Sequence, residues 1–361
     1  FLRHADWMLV AAMLLLVAVG LVAVWSFSGE RSDLFRRQFL WAGVGLAAFF
    51  ASSLLDYRLF KNHGVLLVAL YLIALAALAS LLVFAPVTRG VRAWFQVGST
   101  GIQPVEPMKL VLVLVLAKYF SRRHVEIARL RHLIVSGLYA ATAALLVLLQ
   151  PDLGSALILA AIWLAVVCFS GITGRHLALF FFLMAIVAGV AWFSLLAPYQ
   201  KARITVFFDP YRDPRGAGYH TIQAMVAAGS GRLLGKGVGY GTQSHLNFLP
   251  EAETDFIFAA FTEETGFIGA SVLLGLFGAL FWRVIRTGIT AHDNFSKLFV
   301  LGFASFLFAS TAVHVGMNLG LLPVTGIGLP FVSYGGSNLI TSLVGLGIVQ
   351  SIRIHSRPEI G

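Results

Sequence analysis

Apolar residues in this chain come in long blocks, without the narrow stripes of a soluble domain. Ten runs stand out, at 6–28, 38–55, 64–84, 107–120, 132–150, 153–170, 177–197, 255–282, 297–320 and 335–352. A membrane-crossing helix needs about 20 consecutive apolar residues. The pattern therefore predicts an all-α, polytopic integral membrane protein of about ten transmembrane helices, one membrane domain over 1–361. The run 107–120 is short for a full crossing. It follows Pro104 and Pro107, which suits a helix that starts within the membrane after a re-entrant segment.

Between spans seven and eight lies 198–254, the largest piece outside the spans. Loops of such length are usually functional or disordered. Its stretch 221–239 is rich in Ala, Met, Val, Leu and Gly, which speaks against disorder. Short helices lying on the membrane or capping a cavity are predicted there. No strong internal repeat is apparent, which counts against an inverted-repeat transporter.

Composition agrees with the blocks. The chain is 58% hydrophobic and 12% charged, about half the charged fraction of a soluble domain. The formal net charge of +10 raises nucleic-acid binding, but the basic residues sit in short loops between apolar runs. Contact with anionic membrane lipid explains them better. Of the 26 Lys and Arg residues, 14 lie at the termini and near 56–63, 118–131, 171–176 and 283–297, and 6 lie in the short loops opposite. The remaining 6 are in 198–254, which votes weakly because long segments cross regardless of charge. This asymmetry predicts cytoplasmic termini and an extracytoplasmic 198–254 segment. The one cysteine, Cys168, cannot form an internal disulfide and reads as a small buried hydrophobe.

Four polar groups interrupt the apolar pattern, and ionisable groups near spans need a partner or a task. In Gln103-Pro104-Val105-Glu106-Pro107-Met108-Lys109, Glu106 and Lys109 are three apart and share a helical face. They are either a self-neutralising pair or a lysine poised for phosphate. In Gln150-Pro151-Asp152-Leu153-Gly154-Ser155, Asp152 reads as a helix cap, with contact to substrate or metal as the alternative. In Leu249-Pro250-Glu251-Ala252-Glu253-Thr254-Asp255, three acids crowd the start of span eight. By residue type Asp255 reads as an N-cap. Glu263 and Glu264 lie about two turns deeper, and helical geometry points Glu264 away from Asp255, so the two acids should not share a partner. In Pro330-Phe331-Val332-Ser333-Tyr334-Gly335-Gly336-Ser337-Asn338, paired glycines and hydroxyls suit close backbone approach. His314 and Asn318, four apart on span nine, suit an interhelical hydrogen bond.

Together these groups resemble the SEDS family of shape, elongation, division and sporulation polymerases. The resemblance is carried by Phe248-Leu249-Pro250-Glu251, Thr254-Asp255-Phe256-Ile257-Phe258-Ala259, Glu263-Glu264-Thr265-Gly266 and Pro330–Ser337. It runs over essentially the whole chain. Gly239-Tyr240-Gly241-Thr242-Gln243-Ser244 and Val324–Pro330 are more similar to the elongation branch than to the division branch. Gly328 stands where that branch has proline.

The resemblance implies a peptidoglycan glycosyltransferase that polymerises lipid II at the outer face of the bacterial cytoplasmic membrane. It implies a class B penicillin-binding protein, a transpeptidase, as partner. It makes Asp255 the essential acid. Such a transfer needs a base on the acceptor sugar hydroxyl and positive charge on the departing undecaprenyl diphosphate. The base falls to Asp255. Lys109, Arg203 or a divalent cation such as Mg or Mn can supply the charge. Glu106, Asp152, Glu251, Ser333 and Ser337 are the further candidates for substrate contact. The rival reading is a lipid II flippase, since polar intramembrane groups and broken helices suit it too. The clustering of acids at one face, beside the long segment, favours the enzyme. A scaffold with no chemistry leaves Asp255 unexplained.

Overall fold

A computed structural model describes residues 5–28, 32–86, 91–97, 100–122, 130–172, 174–195, 201, 205–214, 216, 218–246 and 248–355. Every predicted run holds a helix. In chain order these are α1 (Trp7–Ser28), α2 (Ser32–Leu54), a short α3 (Arg58–Asn62), α4 (Gly64–Phe84), α5 (Val105–Ser121), α6 (Leu130–Leu149), α7 (Leu153–Phe169) and α8 (Gly174–Val190). Two short helices follow, α9 (Tyr219–Ser230) and α10 (Thr242–His245), then α11 (Ile257–Thr290), α12 (Asn294–Asn318) and α13 (Gly336–His355). Among the described residues six helices, α1, α4, α6, α11, α12 and α13, are long and apolar enough to cross a membrane.

The segment ahead of α5 is a small antiparallel hairpin, β1 (Phe95–Val97) with β2 (Thr100–Ile102), pairing Phe95 with Ile102 and Val97 with Thr100. It replaces the expected re-entrant segment. α5 then starts directly after Pro104 and is buried nearly all round, packed by α4, α7 and α12. Its run Leu-Val-Leu-Val-Leu-Val-Leu is apolar on every face, as a central helix must be. α4 is equally apolar, yet Val65, Val68, Leu72 and Ile73 are exposed. Lipid tails are as apolar as leucine, so hydropathy does not separate the two situations.

The segment 198–254 contributes α9, which packs on α11 and α12, and α10. Its residues 231–237 do more than lie on the surface. α11 is broken at Gly266, where φ is 69° and ψ is −169°. The loop enters this break and bonds its loose ends. Phe267 N donates to Arg232 O at 2.8 Å and Ile268 N to Leu233 O at 3.2 Å. In return Lys236 N donates to Glu263 O at 3.0 Å and Gly237 N to Glu264 O at 2.9 Å. From the break to Thr290, α11 is about 37 Å long at 1.5 Å per residue, enough to cross a hydrocarbon core of about 30 Å.

Both backbones at this crossing are glycine. A Cβ at Gly266 would collide with Gly235 N and Leu233 O, and one at Gly235 with Glu264 O. Gly266→Ala also puts alanine in a backbone region that is essentially glycine-only, at a cost of about 1–3 kcal/mol from the strain alone. The variant is expected to melt lower in detergent and to become susceptible to protease within 231–240. An unchanged melting point and cleavage pattern would show that the loop is not held by this break.

The other end of the bundle is tied by charge. The buried Asp6 carboxylate accepts from Arg283 Nη2 at 2.7 Å and lies 2.9 Å from Arg353 Nη1, which joins α1, α11 and α13. Asp293 caps α12 through Ser296 N at 3.1 Å and accepts from the Tyr57 hydroxyl at 2.9 Å. Burial pushes the Asp293 carboxyl up, but bonds from Ser296 and Tyr57 and the nearby Lys61 charge outweigh it and hold it below its usual value.

Candidate active site

Asp255 sits in a turn, not at a cap. α11 begins at Ile257, and the N-cap position is Phe256, whose side chain makes no capping bond. Capping comes from elsewhere. Glu251, with φ at +55°, turns its carbonyl to accept from Thr254, Asp255 and Phe256 N–H at 3.1 to 3.2 Å. Asn318 at the end of α12 accepts from Ala259 N at 3.0 Å through Oδ1. Its Nδ2 donates to Asp255 O at 3.0 Å and to His314 O at 2.8 Å. The interhelical bonding expected of His314 and Asn318 is thus present for Asn318, and it falls on the Asp255 turn itself, whereas His314 bonds a loop. His314 Nδ1 donates to Ile327 O at 2.7 Å, which makes Nε2 the acceptor nitrogen of the neutral ring.

The loop 324–334 closes over the same turn. Ser333 accepts from Leu329 N and donates to Thr254 O, both at 2.7 Å, and Tyr334 N donates to Glu253 O at 2.8 Å. Asp255 is partly exposed, and a Cβ at Gly326 would lie 3.7 Å from its Oδ2. Ser333 therefore serves as a tie between loop and turn. Ser337 accepts from Gln103 N at 3.0 Å and joins α13 to the entry of α5. Asp152 is the N-cap of α7, accepting from Ser155 N at 2.9 Å. Gly154 beside it packs so tightly on Thr325 and Ile327 that a Cβ would touch them. The four polar groups of the sequence thus meet at one end of the bundle. Arg203 lies outside the described residues.

Glu106 and Lys109 form an ion pair at 2.7 Å, with side chains 5% and 1% exposed. Lys109 Nζ also lies 5.7 Å from the Phe306 ring centroid. A Cβ at Gly302 would lie 3.1 Å from Val113. Val113 to Gly302 and Lys109 to Phe306 fix α5 and α12 as antiparallel. One turn further brings Glu106 level with Ser310 and Thr311. Glu106 Oε2, Ser310 Oγ, Thr311 Oγ1 and His314 Nε2 are all buried there with no hydrogen-bond partner among the described residues.

Glu263 and Glu264 grip the long segment. Glu263 takes Lys236 Nζ at 2.6 Å and Gln243 N at 3.0 Å. Glu264 takes Ser26 Oγ at 2.7 Å, Gly239 N at 3.0 Å and His245 Nε2 at 3.2 Å. Among the described residues these partners differ from those named for the Asp255 turn. Two contributors have no clear mark in the sequence. The Gln38 side chain bonds Ser333 O and Gly335 N at 3.2 Å. The His220 ring stacks on Phe256, centroids 6.2 Å apart. A lone glutamine at the edge of an apolar run was the only trace of the first.

Among the described residues no group of three His, Cys, Asp or Glu could hold a metal ion. Among the described residues the donor set at Asp255 does not make a protein-built metal cage.

Fold and site together define a polytopic helical membrane protein with an acid-bearing turn clamped at one end of its bundle. The chain belongs to the FtsW/RodA/SpoVE cell cycle protein family, whose model matches residues 6–358. It is 36% identical to stage V sporulation protein E of Bacillus subtilis (strain 168) over 364 residues, with 98% of each chain covered. It is 35% identical to peptidoglycan glycosyltransferase MrdB of Escherichia coli (strain K12), covering 98% of this chain and 95% of the relative. A chain from a solved peptidoglycan synthase complex, described as coordinating polymerization and crosslinking, superposes with a TM-score of 0.83 at 35% identity, with 97% of each chain covered.

Proposed function

We propose that this protein polymerises lipid II into glycan strands at the outer face of the bacterial cytoplasmic membrane, in cell elongation. The observation that carries the reading is the Asp255 turn. Its acid is partly exposed, on a backbone bonded by Asn318, Ser333 and Tyr334. That is how a reacting group is held at fixed geometry. Names of relatives support the chemistry, and Gly239–Ser244 supports the elongation branch, RodA, over the division branch, FtsW. The working partner is a class B penicillin-binding protein, in line with the polymerisation and crosslinking that the related complex coordinates.

The growing strand, linked through its anomeric carbon to undecaprenyl diphosphate, is the donor. The 4-hydroxyl of an incoming lipid II attacks that carbon with inversion. Asp255 takes the hydroxyl proton as the new glycosidic bond forms and the bond to diphosphate breaks. Positive charge stabilises the leaving diphosphate. Lys109 is sealed against Glu106, which leaves Arg203 as the other candidate for that charge. Polymer formation from purified lipid II by this chain with its transpeptidase, and none by the transpeptidase alone, is the test.

The reading needs an orientation: ten crossing helices, cytoplasmic termini and an extracytoplasmic 198–254 segment. The 14-to-6 distribution of basic residues supports it. With Cys168 replaced, a cysteine at Ser244 is expected to be labelled by an impermeant reagent from outside intact spheroplasts. Ser244 is buried, so labelling at the exposed Tyr240 serves as the stronger companion site. Labelling of either only after the membrane is opened reverses the orientation.

A further inference from the structure

Three successive carbonyls, of Glu253, Thr254 and Asp255, are each held by a donor from the 318–334 stretch: Tyr334 N, Ser333 Oγ and Asn318 Nδ2. Asn318 alone also holds the helix that follows, by accepting from Ala259 N. It is fully buried. Its amide thus spans the joint between the turn and α11, with the acceptor on one side and the donor on the other. Few side chains can do both. Aspartate keeps the acceptor and loses the donor, alanine loses both, and glutamine carries one methylene too many.

We infer that Asn318 is a positioning residue for glycan polymerisation: it sets the place of Asp255 by joining the Asp255 carbonyl and the first turn of α11 to the end of α12. This rests on the reading of Asp255 as the reacting base. The sequence assigned capping at this joint to Asp255; here Ala259 N–H is capped by Asn318 from α12. The same amide bonds His314 O, and His314 bonds Ile327 O. Asn318 therefore links the turn to the loop that passes Asp255 Oδ2 at Gly326. A shift of the turn against this loop moves the acid relative to any sugar hydroxyl lying between them.

The experiment compares Asn318→Asp, Asn318→Ala and Asp255→Asn in the complex with its transpeptidase, using purified lipid II. kcat, KM, the pH profile of kcat and the melting point are measured, with rates scaled to the folded fraction. Misplacement of about 1 Å can cost roughly 10²-fold, so Asn318→Ala is expected to lose about 10- to 100-fold in kcat with KM little changed. Asn318→Asp keeps the bond to Ala259 N and sets a second carboxylate beside Asp255. Like charge disfavours ionisation, so the acid limb of its kcat profile should move to higher pH. Among the described residues, the titratable groups on the surrounding elements are Glu251 and Glu253 of the turn, His220 of α9, His314 of α12 and Tyr334 of the closing loop. They are unchanged in all three variants, so a moved limb reports on Asp255 and the carboxylate introduced beside it. If Asn318→Ala does not fold, Asn318→Asp carries the test. Wild-type kcat per folded molecule in both Asn318 variants, or a superimposable pH profile for Asn318→Asp, overturns the positioning role while Asp255→Asn remains inactive. Full activity of Asp255→Asn overturns the base reading itself, and the positioning role with it.

Discussion

Asp255→Asn is expected to fold and bind its transpeptidase normally yet to polymerise lipid II about 10²-fold or more slowly, the usual range for losing a general base. Asparagine is nearly isosteric with aspartate and caps helices about as well. Helix capping at this joint is in any case carried by Glu251 O and Asn318 Oδ1. A structural role for the side chain therefore predicts little loss of melting temperature or rate. A neutral amide cannot take a proton from a sugar hydroxyl, so the catalytic role predicts a severe loss of rate alone. Asp255→Glu moves the carboxylate by about one methylene and should retain only part of the activity. Metal coordination by Asp255 would give the same loss, so divalent-ion titration accompanies the measurement. Recovery of Asp255→Asn at high metal would make the residue a ligand. Robust synthesis without such recovery would take Asp255 out of the chemistry and restore the flippase reading.

Glu106→Ala should be the most damaging change to stability. It leaves the Lys109 ammonium, 1% exposed, without its counter-charge. Breaking one side of a buried pair typically costs about 3–5 kcal/mol. The Phe306 ring below Nζ returns only about 0.5–2 kcal/mol of this. Melting in detergent and the yield of folded protein measure the loss. The exchange Glu106→Lys with Lys109→Glu restores a pair and should recover most of the folding. Recovery will be incomplete, since a cation in the first turn of α5 opposes the helix dipole by about 0.3–1 kcal/mol. If the exchanged protein is folded but inactive, the direction of the pair matters, and Lys109 has a directional task such as holding the diphosphate. Full activity of the exchanged protein would confine the pair to holding α5 in place.

What the sequence determined by itself follows from properties local to the chain. Block lengths of apolar residues set the helices, because a bilayer core demands runs of a given length whatever packs beside them. The i, i+3 spacing of Glu106 and Lys109 set their pairing, because both lie on one turn. Asp152 was legible as a cap for the same reason. Resemblance of the 248–266 and 330–337 stretches to a known family supplied the candidate acid.

What only the tertiary structure decided depends on elements far apart in sequence. Asp255 reads locally as a cap, and that assignment changes because Asn318, 63 residues away, occupies the joint. Ser333 and Ser337 read as candidates for substrate contact, and only the structure shows that the Thr254 carbonyl and the Gln103 amide also bond their hydroxyls. Gly266 shows no sign in sequence of the loop 231–237 that enters its break, since a glycine inside an apolar helix is common in membranes. Neither could hydropathy tell the enclosed α5 from the lipid-facing side of α4. In a bilayer both surroundings are apolar, so burial leaves no mark on composition, and the fold must be seen before the inside of the bundle can be told from its outside.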